Sequence, residues 1–355
     1  MTIPDGSPAA PFRNIGIVMM SAVGDSVHVL PVITALKRQD PAPRITWVIQ
    51  PGPRALVEGH PAVDAFVSFD RARGWGAFVE TRRSLAAQQF DLVLDLQVYL
   101  KAGIVTALAN APVKLGFDRA RARDLNWLFT NRQIPPHPGG QHVQDQYLEF
   151  LSALGVPADP VEWNLGPWES ERPAQRAFFA PVDRPVAAIV VATTKPQKDW
   201  IPERWGDVAA SLYDDFGLQP VLVGGTSARE RAAAAVILAR APHARSALGS
   251  GLRQLVGILD GAAVVLAPDT GPLHIAVALD RPVVSLMGYT NPKRTGPYRR
   301  FHDLIVDAYG DPGEDYPISM QTRPGRMARI TVADVLAKIE RWRERYRDRA
   351  SGVDR

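Results

Sequence analysis

The chain contains no cysteine, which removes thiolate nucleophiles, cysteine-ligated zinc and disulfide bonds together and leaves oxygen and nitrogen chemistry. Long apolar runs are missing too. Nothing approaches the ~18 to 20 uninterrupted apolar residues of a spanning helix, and the first run, Ile15 to Met20, is far shorter. The opening MTIPDGSPAAPFRN has no basic segment followed by an apolar one, so no secretory signal is read there and a cytoplasmic location is expected. Charge of one sign is scarce: 41 Lys and Arg against 37 Asp and Glu leave +4. That surplus is too small for a nucleic-acid partner but suits one local anion site. Repeats, low-complexity tracts and the G-x-G-x-x-G turn of dinucleotide oxidoreductases are also absent, and the missing turn argues against that class.

What is present is ordinary globular material, with 355 residues allowing two domains at about 150 each. Asn14 to Met20 reads as a buried strand and Val27 to Arg38 as a helix ended by Asp40-Pro41. Strands Arg44 to Gln50, Ala65 to Phe69 and Asp91 to Leu96 follow, with a helix from Arg71 to Gln89 and another from Tyr147 to Leu154. A second series runs from strand Val186 to Ala192 through helix Arg204 to Phe216, strand Pro220 to Val223 and helix Ala228 to Arg240. It closes with helix Leu252 to Leu259, strand Ala263 to Ala267, helix Pro272 to Leu279 and strand Val283 to Met287, ahead of an irregular segment, Tyr309 to Arg329.

Alternation of this kind predicts an α/β protein with two doubly wound parallel sheets. The expected division is a domain over 1–165, a Pro- and Trp-rich linker over 166–185, a domain over 186–330 and a terminal helix over 331–355. Thr331 and Asp334 read as a capping box for that helix, and Val332, Val335, Leu336, Ile339, Trp342 and Tyr346 share one of its faces. Arg341, Arg343, Arg345, Arg347 and Arg349 suggest a membrane surface, but the interspersed Glu340, Glu344 and Asp348 favour a solvated helix.

Ligands of such sheets sit at the carboxyl ends of the strands, so the strand-end loops carry the chemistry. In Ser21-Ala-Val-Gly-Asp-Ser-Val-His28, Gly24 permits an unusual angle or close approach, and Asp25 is either a helix cap or a general base. His28 is a packing residue or a proton relay. In Ala267-Pro-Asp-Thr-Gly-Pro-Leu-His274, Gly271 allows a turn, and Thr270 with the helix N-terminus forms an anion site suited to a diphosphate. Asp269 caps the helix or holds a ribose or sugar hydroxyl, and His274 can be a core histidine. Thr193 and Thr194, with Lys195 and Lys198, balance phosphate charge or are simply solvated, while Trp200 and Trp205 read as core. Gly224-Gly225 precedes Glu230, which either holds a ribose or is a solvated helix-start residue.

Taken in order, SAVGDSVHVLPVITAL, ITWVIQPGPRALVEGHPAVD, FDLVLDLQVYLKAG, KLGFDRARARD, TTKPQKDWIPERW, LVGG with Glu230, and APDTGPLHIAVALDRPVVSLMGYTNPKRTGPY resemble glycosyltransferase family 9, the ADP-heptose:lipopolysaccharide heptosyltransferases, over nearly the whole chain. The resemblance implies the GT-B fold: two facing Rossmann-like domains about a cleft, acceptor in the first, donor in the second, and a last helix that returns to the first. It implies an inverting, metal-independent enzyme without cofactor, whose partners are a nucleotide-sugar donor, an ADP-heptose, and an anionic saccharide or lipid-linked acceptor, with peripheral contact at the inner face of the cytoplasmic membrane. Asp25 takes the place of the catalytic base and Lys198 that of the phosphate-binding lysine. Thr193, Thr194, Glu230, Asp269, Thr270, Gly271 and His274 fall on the donor side, and Lys101, Arg119, Arg123 and His142 on the acceptor side. QVYLK departs from a usual glycine after the glutamine, and Gln146 from a common arginine; both departures concern the acceptor.

Overall fold

A computed structural model describes residues 12–347, so residues 1–11 of the N-terminal segment read for a signal, and Asp348, Arg349 and the rest of 348–355, lie outside the described residues. The chain forms two compact units, Met1–Gly139 with Val143–Asn164, and Gly140–His142 with Leu165–Arg355.

The first unit contains strands β1 (Asn14–Val18), β2 (Arg44–Ile49), β3 (Ala65–Ser68), β4 (Leu92–Asp95), β5 (Val113–Gly116) and β6 (Arg132–Gln133). Its helices are α1 (Val23–Lys37), α2 (Pro51–Val57), α3 (Trp75–Ala86), α4 (Leu100–Leu108) and α5 (Val143–Ala153). The strands pair in parallel in the order β3-β2-β1-β4-β5-β6. Strand β1 is central, with Ile15, Ile17 and Val18 wholly buried, which explains why it reads as an unbroken apolar run. One core layer gathers Val18, Val48, Phe69 and Val93 of the sheet region with Ala77 and Leu85 of α3 and Ala102 and Val105 of α4. Helix α2 was hidden in the sequence by its opening Pro-Gly-Pro, although proline suits a first helical turn.

The second unit contains α6 (Arg172–Phe179), β7 (Val186–Val190), α7 (Pro202–Asp214), β8 (Gln219–Val223), α8 (Ala228–Arg240), β9 (Arg245–Ser246) and α9 (Leu252–Gly261). It continues through β10 (Val264–Pro268), α10 (Gly271–Ala278), β11 (Val283–Met287), α11 (Pro292–Thr295), β12 (Ile305–Asp307) and α12 (Val332–Arg345). Its parallel sheet, β12-β11-β10-β7-β8-β9, repeats the strand order of the first. Trp200 and Trp205 are buried edge to face with centroids 4.7 Å apart, in keeping with their reading as core.

Two expectations need correction. Residues 166–185 are not a simple linker: α6 packs on α9, with Arg172 2.7 Å from Asp260 and Gln175 donating to the Gly257 carbonyl at 2.9 Å. Helix α12, expected to return to the first unit, belongs to the second. It is capped by Thr331 and Asp334, buries Val335, Ile339 and Trp342, and donates from the Trp342 indole to the Ala263 carbonyl at 3.0 Å.

Candidate functional site

In each sheet the strand order reverses direction at one place, between β1 and β4 in the first unit and between β7 and β10 in the second. The helices leaving these neighbouring strands diverge to opposite faces, so a crevice opens outside the carboxyl ends.

In the second unit, the loop after β7 is tied to itself. Thr193 N–H donates to Asp199 Oδ1 at 2.6 Å, and the Thr193 hydroxyl to the Lys195 carbonyl at 2.7 Å. Asp199 also pairs with Arg229 at 2.8 Å. The turn Pro196–Lys198 then sends Lys198 across the switch point, placing Nζ 2.6 Å from Asp269 Oδ2 and 3.2 Å from the Asp269 carbonyl. The hydroxyls of Thr290 and Thr295 donate to the same Oδ2 at 2.6 and 3.3 Å, and His274 Nε2 lies 3.6 Å from Oδ1. Burial alone would raise the Asp269 pKa, but the hydrogen bond from His274 and the charge of Lys198 outweigh it and hold the carboxyl well below the usual range.

Asp269 therefore organises the site from inside and caps no helix: the N-cap of α10 is Thr270, whose hydroxyl makes no capping bond. His274 is buried, but its partner is this carboxylate. The first-turn N–H groups of α10 add a fixed positive end, and an ammonium, hydroxyls and a helix N-terminus are together groups able to hold an anion such as a diphosphate. Gly271 starts α10 at the turn read there, and Gly24 lies in the first turn of α1 with helical backbone, so Gly24 supplies no unusual angle. Thr193 has its hydroxyl committed within the loop, whereas Thr194 is exposed.

Glu230 completes this rim as the third helical residue of α8. It accepts from Ser227 N–H at 2.9 Å, Ser227 Oγ at 2.6 Å and Gly225 N–H at 2.6 Å. Burial raises its pKa, but the Ser227 hydroxyl and the two backbone donors outweigh this and lower it. A Cβ on Gly225 would lie 2.9 Å from Glu230 Oε2, so glycine is what lets the loop close on the carboxylate. The solvated reading of Glu230 gives way to that of a loop clamp.

At the first unit's switch point, Ala22 is the N-cap of α1, and its N–H donates to Asp25 Oδ2 at 3.0 Å. Asp25 is thus the third helical residue, at the helix's positive end, and not the cap itself. The loop is braced from β4: Gln97 Oε1 accepts from Met20 N–H at 3.0 Å, and Gln97 Nε2 donates to the Ser21 carbonyl at 2.7 Å. Behind Gln97, the fully buried Asp95 accepts from Gln97 N–H at 3.2 Å and from Asn126 Nδ2 at 2.9 Å. Burial pushes its pKa up to about 7 against these hydrogen bonds. His28 is buried and tied to Gln144, its Nδ1 3.0 Å from Oε1 while Gln144 donates to the His28 carbonyl at 2.7 Å, a packing role.

Lys101, Arg119 and Arg123 are exposed on the segments that follow β4 and β5. Arg119 stacks over Trp127 at 4.4 Å, and Arg123 N–H donates to the Val98 carbonyl at 2.7 Å. His142 is different. It belongs to the second unit, where Nε2 donates to the Gly296 carbonyl at 2.9 Å and the ring lies 5.0 Å from Tyr298, so the structure does not group it with the other acceptor-side residues. Sequence reasoning missed Gln97, Asp95, Asn126, Asp199, Thr290 and Thr295; Asp199 ties its own loop together, and the others act through segments distant in sequence. Among the described residues no three His, Cys, Asp or Glu side chains gather into a metal-binding set.

Residues 78–311 match the model of glycosyltransferase family 9 (heptosyltransferase). The chain is 27% identical over 340 residues to a lipopolysaccharide core heptosyltransferase of Haemophilus influenzae, covering 93% of this chain and 96% of that one. It is 30% identical over 295 residues to lipopolysaccharide heptosyltransferase 1 of Pseudomonas aeruginosa, covering 80% and 81%. Among solved structures it is similar to the Escherichia coli heptosyltransferase WaaC with ADP, at 27% identity and a TM-score of 0.73, covering 92% and 99%. The same enzyme with ADP-2-deoxy-2-fluoro heptose gives 26% and 0.70, with the same coverage.

Proposed function

The chain belongs to glycosyltransferase family 9, an enzyme family with the GT-B type of α/β fold, and on that premise we propose that it moves a heptose from ADP-heptose to a hydroxyl of an anionic lipopolysaccharide-core acceptor, with inversion and without a metal ion. The observation that carries this reading is the convergence of Lys198, Asp269, Thr290 and His274 beside the N-terminus of α10.

In this reading the diphosphate of the donor lies along the first turn of α10 and receives hydrogen bonds from Lys198 and the Thr270 hydroxyl. Asp269 fixes the ammonium in place. Thr194 and the Glu230 loop flank the rest of the nucleotide, the carboxylate offering its remaining lone pairs to ribose hydroxyls. Asp25 accepts the proton of the attacking hydroxyl as that oxygen bonds to the anomeric carbon. The bond from the anomeric carbon to the diphosphate breaks, and ADP leaves with the electron pair. One displacement inverts the anomeric centre. Charge gathering on the departing diphosphate is met by fixed donors, the role a divalent cation plays elsewhere. Lys101, Arg119 and Arg123 suit an acceptor that carries phosphate or carboxylate groups.

The test is nucleotide release from a panel of ADP- and UDP-sugars, with and without core acceptors, before and after exhaustive chelation. Release is expected from ADP-heptose alone, only with acceptor present, and at an unchanged rate in EDTA. A UDP-sugar preference would overturn the donor assignment, and loss of turnover restored by magnesium would overturn metal independence.

A further inference from the structure

The turn from Thr193 to Asp199 carries Lys198 across the second unit's switch point, yet little apolar packing holds it. Thr194, Lys195, Pro196 and Gln197 are exposed, between a buried Thr193 and a buried Trp200. Its shape rests on polar ties. Thr193 N–H closes the two ends by donating to Asp199 Oδ1 at 2.6 Å, and inside the turn the Lys195 carbonyl accepts from the Thr193 hydroxyl at 2.7 Å and from Lys198 N–H at 2.9 Å.

A side chain from another loop grips both ends at once. Arg229, the second residue of α8, places Nε 2.8 Å from Asp199 Oδ2 and donates from Nη2 to the Thr193 carbonyl. Thr193, Asp199 and Arg229 thus form a closed ring, with the planar guanidinium fork spanning a carboxylate and a carbonyl that a single ammonium could not bridge in the same way. The sequence neighbours of the pair give the ring its meaning. Asp199 directly follows Lys198, and Arg229 directly precedes Glu230, whose carboxylate closes the loop after β8 on Gly225 and Ser227. An ion pair whose arginine is 42% exposed adds little to the stability of the whole unit. What it fixes is local: the base of the Lys198 turn, and the distance from that turn to the start of α8.

We propose that Arg229 is a positioning residue: from α8 it staples the Thr193–Asp199 turn, holds Lys198 where the diphosphate binds, and joins that turn to the Glu230 loop so that the two ends of the nucleotide meet one preformed surface. The inference deepens the heptosyl-transfer reading and rests on it for the role of Lys198 at the diphosphate. A charge acts on a bound anion only as well as its support places it, and the support here comes from a residue that touches no part of the donor.

The experiment is calorimetric titration of the full chain with ADP in two backgrounds. Arg229→Met should weaken ADP binding about fivefold in the wild-type background, at an unchanged melting temperature, and should cause no further loss in the Lys198→Ala background, because its effect passes through Lys198. Arg229→Lys should recover part of the loss, and Asp199→Asn, which removes the charge facing the guanidinium, should reproduce it. Arg240→Met, which breaks the pair with Asp207 at the other end of α8, should bind ADP as wild type does. Wild-type affinity in Arg229→Met would show that Thr193 and Trp200 hold the turn unaided, and an equal loss in both backgrounds would make Arg229 a general support of the unit; either result overturns the proposal. The titrations require no transfer, so a chain that binds ADP but moves no heptose would count against the heptosyl-transfer reading alone. If Lys198→Ala itself binds ADP as tightly as wild type, the diphosphate site is misplaced and this inference falls with it.

Discussion

Asp25 and Lys198 act at different moments of the proposed reaction, and that difference can be measured. Asp25 interacts with the attacking hydroxyl chiefly as its proton leaves, so Asp25→Asn should lower turnover by about 10²- to 10⁴-fold while calorimetric binding of ADP stays at the wild-type value. Retained turnover would reduce Asp25 to the brace it forms with Ala22. Lys198→Ala removes a charge that counts most as the diphosphate departs, so turnover should fall further than ADP affinity. Asp269→Ala should behave otherwise, because it strands a largely buried ammonium and three further donors. Stability is expected to drop by about 3–5 kcal/mol, and ADP binding with it. If both variants match wild type in melting, titration and kinetics, the nucleotide binds elsewhere.

Asp95 supplies a pH signature at the same scale. Its carboxyl is pushed up to about 7 in the folded chain by burial, whereas an unfolded aspartate titrates near ~4. The folded state therefore holds the proton more tightly. The stability this contributes is complete below pH ~4 and is lost as pH rises toward ~7. Asp95→Asn, which cannot ionise, should gain on wild type between pH 5 and pH 8 by about 3 kcal/mol, roughly two pKa units at 1.4 kcal/mol each. Urea unfolding at the two values checks it, and a flat difference would mean that Asp95 is ionised throughout.

At the scale of elements, the reactive loops are held by strands that contribute no reacting group. Gln97, just beyond β4, supports the loop after β1 through two hydrogen bonds. Gln97→Ala should lower turnover about tenfold, for a stability loss of about 1–2 kcal/mol, with ADP binding unchanged because the donor loops lie in the other unit. A turnover equal to wild type would show that the Asp25 loop needs no brace. The strands and their exits are legible in the sequence because buried parallel strands read as unbroken apolar runs and the loops carry Gly, Pro and Thr. Thr290 and Thr295 are not legible: they reach Asp269 from the far side of β11, and nothing local in Gly288-Tyr-Thr-Asn291 marks that contact. Helix α6 is obscured by its Pro- and Trp-rich surroundings, and β9 and β12 are too short to show a period.

At the scale of the whole molecule, one strand order used twice provides two switch points, and the chain uses each differently. The first unit's crevice has a carboxylate at its helix entrance and exposed basic side chains nearby; the second has an ammonium, hydroxyls and a buried carboxylate at its own. In the proposed reaction Asp25 is the proton acceptor in one unit and the loops around Lys198 and Asp269 seat the diphosphate in the other, the division of labour that glycosyl transfer from a nucleotide sugar requires. Alternating elements make the duplication readable, whereas the placement of α12 and His142 in the second unit depends on packing that no local pattern encodes. The most direct measurement is a mass spectrum of a heptose-free lipopolysaccharide core after incubation with ADP-heptose and the enzyme. The acceptor should gain one heptose with wild type, in step with ADP release, and none with Asp25→Asn. An acceptor left unchanged by wild type while ADP-heptose is bound, or a full gain with Asp25→Asn, would contradict heptosyl transfer from these two switch points.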